Sequence, residues 1–266
     1  REHSPADLRR QADGERDRTP PSLRGCDRLG TDRRPRHPEK RDGSRHVNLP
    51  IGSKPLTYAS EHAENGAFIE ALRGSLADRE PVAESDDDAT PAGVLIPLHY
   101  HDDDWHVILN VRSMHVTQHQ GEIAFPGGRL EPEDEDMTAC AVRECWEEMG
   151  IAPKDVDVLG PMNGRLTRTN FIVWPTVGVV PYPYEFKPDP REVAEVIEIP
   201  LGKLLDGSLV RHEARLGPDG ELLRRASYGH GEHLVFGATA WILTDLLDII
   251  NRLRSQSQAG PEREQD

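Results

Sequence analysis

Four charged residues in one short stretch, Arg143, Glu144, Glu147 and Glu148, carry the strongest chemical signal in the chain. On an α-helix the three glutamates stand at i, i+3 and i+4 and share one side. Carboxylates so spaced repel one another by about 0.2–0.5 kcal/mol per pair, and a divalent cation turns that repulsion into binding. Hard oxygen ligands suit Mg²⁺ or Mn²⁺, which keep several waters and complete their shell with phosphate oxygens. Arg143 can hold one of the carboxylates in place through a bidentate bond. An isolated Glu-x-x-Glu-Glu is more often an ordinary acidic helix surface, so the weight of this reading rests on the residues around it.

The elements that must position these residues are legible in outline. Ala139, Val142, Trp146 and Met149 fall within an apolar sector of about 80°, which predicts a helix with these four facing the core and the three glutamates facing outward. Gly150 and Pro153 end it. The pair Gly127-Gly128, following Phe125-Pro126, lets backbone come close to a bound anion and turns the chain toward the helix. Apolar runs at Ala92–Leu98, His106–Val111, Val156–Leu159, Phe171–Val180 and Glu195–Ile199 predict strands, with the acidic linker His101–Asp104 as a turn. Ala63, Ala67, Phe68, Ala71, Leu72 and Leu76 recur at helical spacing between Ser60 and Arg79. A turn-rich stretch containing Gly217–Gly220 precedes a last helix over about Gly237–Leu253. Interspersed strands and helices of this kind predict one α/β domain with a mixed β-sheet flanked by helices.

Composition narrows the function. The 266 residues are 36% hydrophobic and 30% charged, and the net charge is −15. Residues 1–50 hold 13 Lys and Arg against 9 Asp and Glu, so the acidic excess lies wholly in residues 51–266. An acidic body repels a phosphate backbone, which argues against nucleic-acid binding outside the basic tail. No apolar run reaches the ~18 residues that span a bilayer. Three cysteines, Cys26, Cys140 and Cys145, form no disulfide framework, and the chain reads as cytoplasmic. Residues 1–55 are too polar to offset their ordering entropy and are expected to be a disordered basic tail. Residues 56–254 are expected to form the domain, and 255–266 a second disordered polar tail.

With its context, the segment Arg143-Glu144-Cys145-Trp146-Glu147-Glu148-Met149-Gly150-Ile151 resembles the Nudix box, G-x5-E-x7-R-E-U-x-E-E-x-G-U, where U is a bulky apolar residue. The upstream half is one residue longer than the consensus, and either Asp134 or Glu135 fills its first acidic position. That expansion resembles the coenzyme A pyrophosphatase branch, where an Asp commonly follows F-P-G-G-x5. Ile108–Ser113 and Gly121–Gly128 are similar to the branch's upstream signature, with Asn110 in place of a Thr and Thr117 in place of its second Arg. Leu166–Phe171, Val173–Gly178, Glu192–Leu201 and Phe236–Leu243 are similar to its later segments, with Trp241 where an Arg is common.

The resemblance implies the Nudix α/β/α sandwich and Mg²⁺- or Mn²⁺-dependent cleavage of coenzyme A, or acyl-coenzyme A, to 3′,5′-ADP and 4′-phosphopantetheine. Glu144, Glu147 and Glu148 would hold the metal; Glu192 or Glu148 would act as general base, and Arg143 would position the carboxylates. Arg112, Arg165 and Arg168 suit the 3′-phosphate and ribose end, with Gly127 and Gly128 beside the substrate. His119 could orient phosphate and Trp241 could stack on adenine, although a structural role is the simpler reading of both. The partner is then a small nucleotide, with no membrane and no specific nucleic acid, and a homodimer is compatible with it. The alternatives are a Nudix pyrophosphatase of ADP-ribose, NADH or dinucleotide polyphosphates, or a non-catalytic nucleotide-sensing Nudix domain, in which loss of the box carboxylates is expected.

Overall fold

The computed structural model describes residues 63–78, 80–83, 88–117, 119–216 and 221–258. The expected tail at 1–55, Cys26 and the Gly217–Gly220 turn lie outside these residues.

Strands β1 (Thr90–His101) and β2 (Asp104–Arg112) form an antiparallel hairpin with His101 opposite Asp104. The two linking residues, Asp102 and Asp103, have φ of 50° and 60°, the left-handed conformation that matches strand twist in a two-residue turn and that Asp tolerates. The acidic linker is thus a tight turn, and Asp104 accepts a hydrogen bond from the Gly202 amide at 3.1 Å, at the start of the short helix α3 (Leu201–Leu205).

Short strands β3 (Ile123–Ala124) and β4 (Gly127–Arg129) pair with β2 and β1. After β5 (Asp157–Pro161) and β6 (Arg165–Leu166), β7 (Phe171–Val179) runs parallel to β1, and β8 (Val193–Pro200) closes the far side against β2. These eight strands make one mixed sheet, in which only β1 and β7 pair in parallel among the described residues.

Both faces of the sheet are covered, so β1 and β2 read as nearly continuous apolar runs. Period-two alternation sends Leu95 and Ile108 to one face, where they pack with Ala141, Cys145 and Met149 of helix α2 (Met137–Met149). It sends Ile96, Leu98, Val107 and Leu109 to the other, into a cluster with α1 (Ala63–Ala77) and α4 (Gly237–Gln258). In α1 the buried side chains are Ile69, Leu72 and Leu76, whereas Ala67 and Ala71 are exposed. Helix α4 continues to Gln258, past the Ser255 boundary expected for the polar tail.

The stretch before α4, read from sequence as turns, contains a second antiparallel sheet of β9 (Val210–Leu216), β10 (Leu222–His230) and β11 (His233–Val235). Its residues hide the pattern: Arg211, His212, Arg224 and Arg225 are exposed, and on β10 burial is reached at Ser227 and Tyr228. Among the described residues no helix is long and apolar enough to cross a membrane.

Candidate active site

Helix α2 is fixed at both ends. Asp136 caps its start, accepting from the Ala139 amide at 2.8 Å, a bond typically worth about 1 kcal/mol. Gly150 ends it at φ 73°, and a Cβ there would stand 2.7 Å from Lys187 Cβ, so a side chain is excluded by both conformation and space. The chain beyond is tied back to the helix: the amides of Lys187 and Asp189 donate to the Met149 and Glu148 carbonyls at 2.9 Å each. That tether carries Glu192 to the end of β2, where its carbonyl accepts from the Ser113 amide at 2.7 Å.

The orientation of α2 differs from the sequence expectation. Trp146, assigned to the core face, is 55% exposed, and Glu148, assigned to the outer face, is 2% exposed. The sheet contacts run along the Ala141, Cys145 and Met149 row, one side of the sector inferred from Ala139, Val142, Trp146 and Met149. Rotation toward that row swings Glu148 inward onto β2 and Trp146 outward. Glu148 accepts from Asn110 Nδ2 at 2.8 Å, and Arg112 Nη1 lies 3.8 Å from its other oxygen.

Arg143 is the hub. Its Nε and Nη2 donate to the two oxygens of Asp134 at 2.8 and 2.9 Å, Nη2 also reaches the Arg129 carbonyl at 3.0 Å, and Nη1 donates to Glu144 at 2.9 Å and Glu147 at 3.2 Å. Asp134 therefore takes the acidic position before the helix, while Glu135 is exposed. Gly128 is required by the same packing: a Cβ there would lie 2.4 Å from Glu144 Oε1. Gly127 likewise meets β1, with a Cβ falling 2.5 Å from the Gly93 carbonyl oxygen. The glycine pair thus brings Glu144 and β1 close to the backbone, a reason distinct from the anion approach expected of it.

The carboxylates are electrostatically unfavourable as they stand. Burial pushes Glu148 up to about 8, with the Glu144 and Glu192 charges adding to it against the opposing pull of Arg112 and Asn110. Burial also raises Glu144, opposed by Arg143 and reinforced by Glu147 and Glu192. A divalent cation would relieve this crowding, so the donor set fits one of hard oxygen preference.

The Arg143 fork holds Asp134 down to about 2. A depressed carboxylate contributes stability that is complete above its unfolded value near 3.8 and is lost as pH falls toward 2. Asp134→Asn is expected to lower stability by about 2 kcal/mol at pH 5 and to flatten the loss between pH 4 and 2. Urea unfolding of both proteins at pH 5 and 2.5 measures this; equal pH slopes would contradict it.

The remaining sequence candidates divide. Glu144, Glu147, Glu148, Glu192, Arg143 and Arg112 come together around the end of α2. Arg165 instead binds α4, pairing with Asp245 at 3.3 Å with its guanidinium 5.2 Å from the Trp241 ring centroid. Arg168 is exposed in the turn between β6 and β7, and His119 pairs with Glu122 at 2.9 Å on the surface. Trp241 is half-buried against the α1/α4 cluster. Asn110, marked in the sequence only as standing in place of a Thr, joins the site by donating to Glu148; a polar side chain inside a mostly apolar strand must find such a partner when buried.

The NUDIX domain family profile matches residues 90–220. The chain is 34% identical over 140 residues to a protein of Photorhabdus laumondii subsp. laumondii named as an uncharacterized Nudix hydrolase, NudL, covering 53% of this chain and 74% of that one. It is 34% identical over 155 residues to the NudL protein of Enterobacter sp., covering 58% and 80%. A solved Nudix hydrolase from Alicyclobacillus acidocaldarius is similar at TM-score 0.43 and 17% identity, over 65% of this chain and 97% of that one.

Proposed function

The chain belongs to the Nudix hydrolase family, and on that premise we propose that it hydrolyses the diphosphate of coenzyme A or acyl-coenzyme A, releasing 3′,5′-ADP and 4′-phosphopantetheine or its acyl form. The observation that carries this reading is the partner of Arg143. The guanidinium grips Asp134 by both oxygens, and an Asp at F-P-G-G-x5 is what the coenzyme A branch has in common with this chain. Arg112 adds to it: its Nε is buried with no hydrogen-bond partner among the described residues, a free donor beside the carboxylates suited to a phosphate oxygen.

In this reading Glu144, Glu147 and Glu148 would hold Mg²⁺ or Mn²⁺, which would supply charge neutralisation for the diphosphate and a lowered pKa for the attacking water. Arg143 keeps Glu144 and Glu147 aimed. Asn110 fixes Glu148, and Arg112 binds a phosphate oxygen. Glu192, exposed at the rim, accepts the proton of the attacking water, a task shared in principle with Glu148.

Thr117, exposed where the branch has its second Arg, favours a second reading in which another nucleoside diphosphate derivative is the substrate. The deciding experiment incubates the protein and Mg²⁺ with coenzyme A, an acyl-coenzyme A, ADP-ribose and NADH. Release of 3′,5′-ADP from the first two is expected. Rapid turnover of ADP-ribose with coenzyme A intact would replace the coenzyme A assignment.

A further inference from the structure

Three histidines gather at the hairpin end of the central sheet, on the face that α2 covers further along. His99 and His101 alternate on β1, and His106 lies directly opposite His99 on β2. His106 and Asn110 are four residues apart on β2, which places the cluster roughly 13 Å along the strand from Glu148, with the buried Ile108 between them. One ligand nitrogen from each of the three histidines lies within 4.8 Å of the others. Glu198 of β8 joins them: its Oε2 stands 3.1 Å from His99 Nε2 and 3.0 Å from His101 Nε2.

We propose that His99, His101, His106 and Glu198 form a second metal site, distinct from the α2 carboxylates and selective for a borderline divalent cation such as Zn²⁺. The chemistry of the donors separates the two. Imidazole nitrogens with one carboxylate favour Zn²⁺, Cu²⁺ or Ni²⁺, whereas Mg²⁺ and Mn²⁺ prefer the all-oxygen set on α2.

The second observation is how the rings are held. His106 Nδ1 faces the Asp104 carbonyl at 3.2 Å, so its Nδ1–H donates there and Nε2 keeps its lone pair. Metal-ligating histidines are usually oriented in this way by a carbonyl on the far nitrogen. His99 is 1% exposed, with its Nε2 turned to Glu198 and its Nδ1 without a hydrogen-bond partner among the described residues. The rings of His101 and His106 are stacked with centroids 3.8 Å apart, and Tyr182 stacks on the other side of His101 at 4.4 Å. Neutral rings are the form that ligates. A cation held by His99 Nε2, His101 Nε2, His106 Nε2 and Glu198 Oε2 would take the place of the protons that His99 and His101 donate to Glu198, with the His101 ring turning out of its stack on His106 to aim its lone pair at the ion. It would clip β1, β2 and β8 together.

The test is calorimetric titration of the full chain with Zn²⁺ in excess Mg²⁺, which leaves the His site as the preferred one for the added metal. One Zn²⁺ per chain is expected, with a raised Tm. His101→Ala and Glu198→Gln should each weaken binding by more than about a hundredfold, since loss of a ligand exceeds the 10–100-fold cost of losing a supporting group. Because a variant could misfold, a second measurement uses the unaltered protein: the ring-nitrogen NMR resonances of His99, His101 and His106 should shift on Zn²⁺ addition. Absence of Zn²⁺ binding, binding unchanged in both variants, or unshifted resonances would each overturn the proposal. Glu147→Gln should leave Zn²⁺ binding intact, which separates failure of this site from failure of the α2 reading.

Discussion

Glu148→Gln is expected to lower turnover by about a thousandfold or more while leaving the Tm unchanged or slightly higher. Glu148 is 2% exposed and surrounded by the Glu144 and Glu192 charges. Gln keeps its shape and can still accept from Asn110 Nδ2, and it removes the desolvation penalty of a buried carboxylate. It also removes an anionic oxygen that would face the cation, and loss of one charge-stabilising group in an enclosed site typically costs about 10²–10³ in rate. Failure of metal binding adds to that loss. Glu147→Gln is the companion measurement. Its side chain is 51% exposed and bonded to Arg143, so a comparable fall in kcat there cannot be ascribed to a damaged core. Retention of wild-type turnover by both variants would refute the carboxylate assignment.

How much of this site is legible in the sequence depends on what each residue's position requires. The spacing of Arg143, Glu144, Glu147 and Glu148 identifies the helix and its chemistry, because the residues are local to one another. The rotation of that helix is set by a distant partner. Trp146 and Met149 are both apolar, but the sheet accepts the Ala141, Cys145 and Met149 row, whose small side chains at Ala141 and Cys145 allow close approach to β1 at Gly93. Hydrophobicity alone favours the larger Trp146, so the apolar pattern turns the helix the wrong way and places Glu148 in solvent.

Long-range pairing explains the other gaps. Asp134 and Glu135 are indistinguishable by count, and the choice appears only when Arg143, nine residues after Asp134, reaches back to one of them. The strands β1, β2 and β7 are legible because their apolar runs are buried on both faces, whereas β9 and β10 present exposed charges and carry little pattern. His99 and His101 alternate visibly on a strand, yet His106 and Glu198 join them only through the register of β1 with β2 and of β2 with β8.

Arg143→Met tests whether the hub positions the site or only stabilises it. The guanidinium makes five hydrogen bonds to three carboxylates and a carbonyl. Its removal leaves Asp134, whose side chain is 4% exposed, as an uncompensated buried charge, and breaking such a pair typically costs about 3–5 kcal/mol. The double variant Arg143→Met with Asp134→Leu removes both charges and should recover most of that stability, because an apolar pair of similar volume is often neutral in place of a buried ion pair. Turnover separates the roles. Glu144 and Glu147 would remain unheld in the double variant, so kcat should stay roughly a hundredfold or more below that of the unaltered enzyme even as the Tm returns. A purely structural arginine would give the opposite result, with kcat rising together with stability. Arg143→Lys supplies the control for charge: a point charge cannot span both oxygens of Asp134 while also reaching Glu144, so kcat should fall with much less loss of stability.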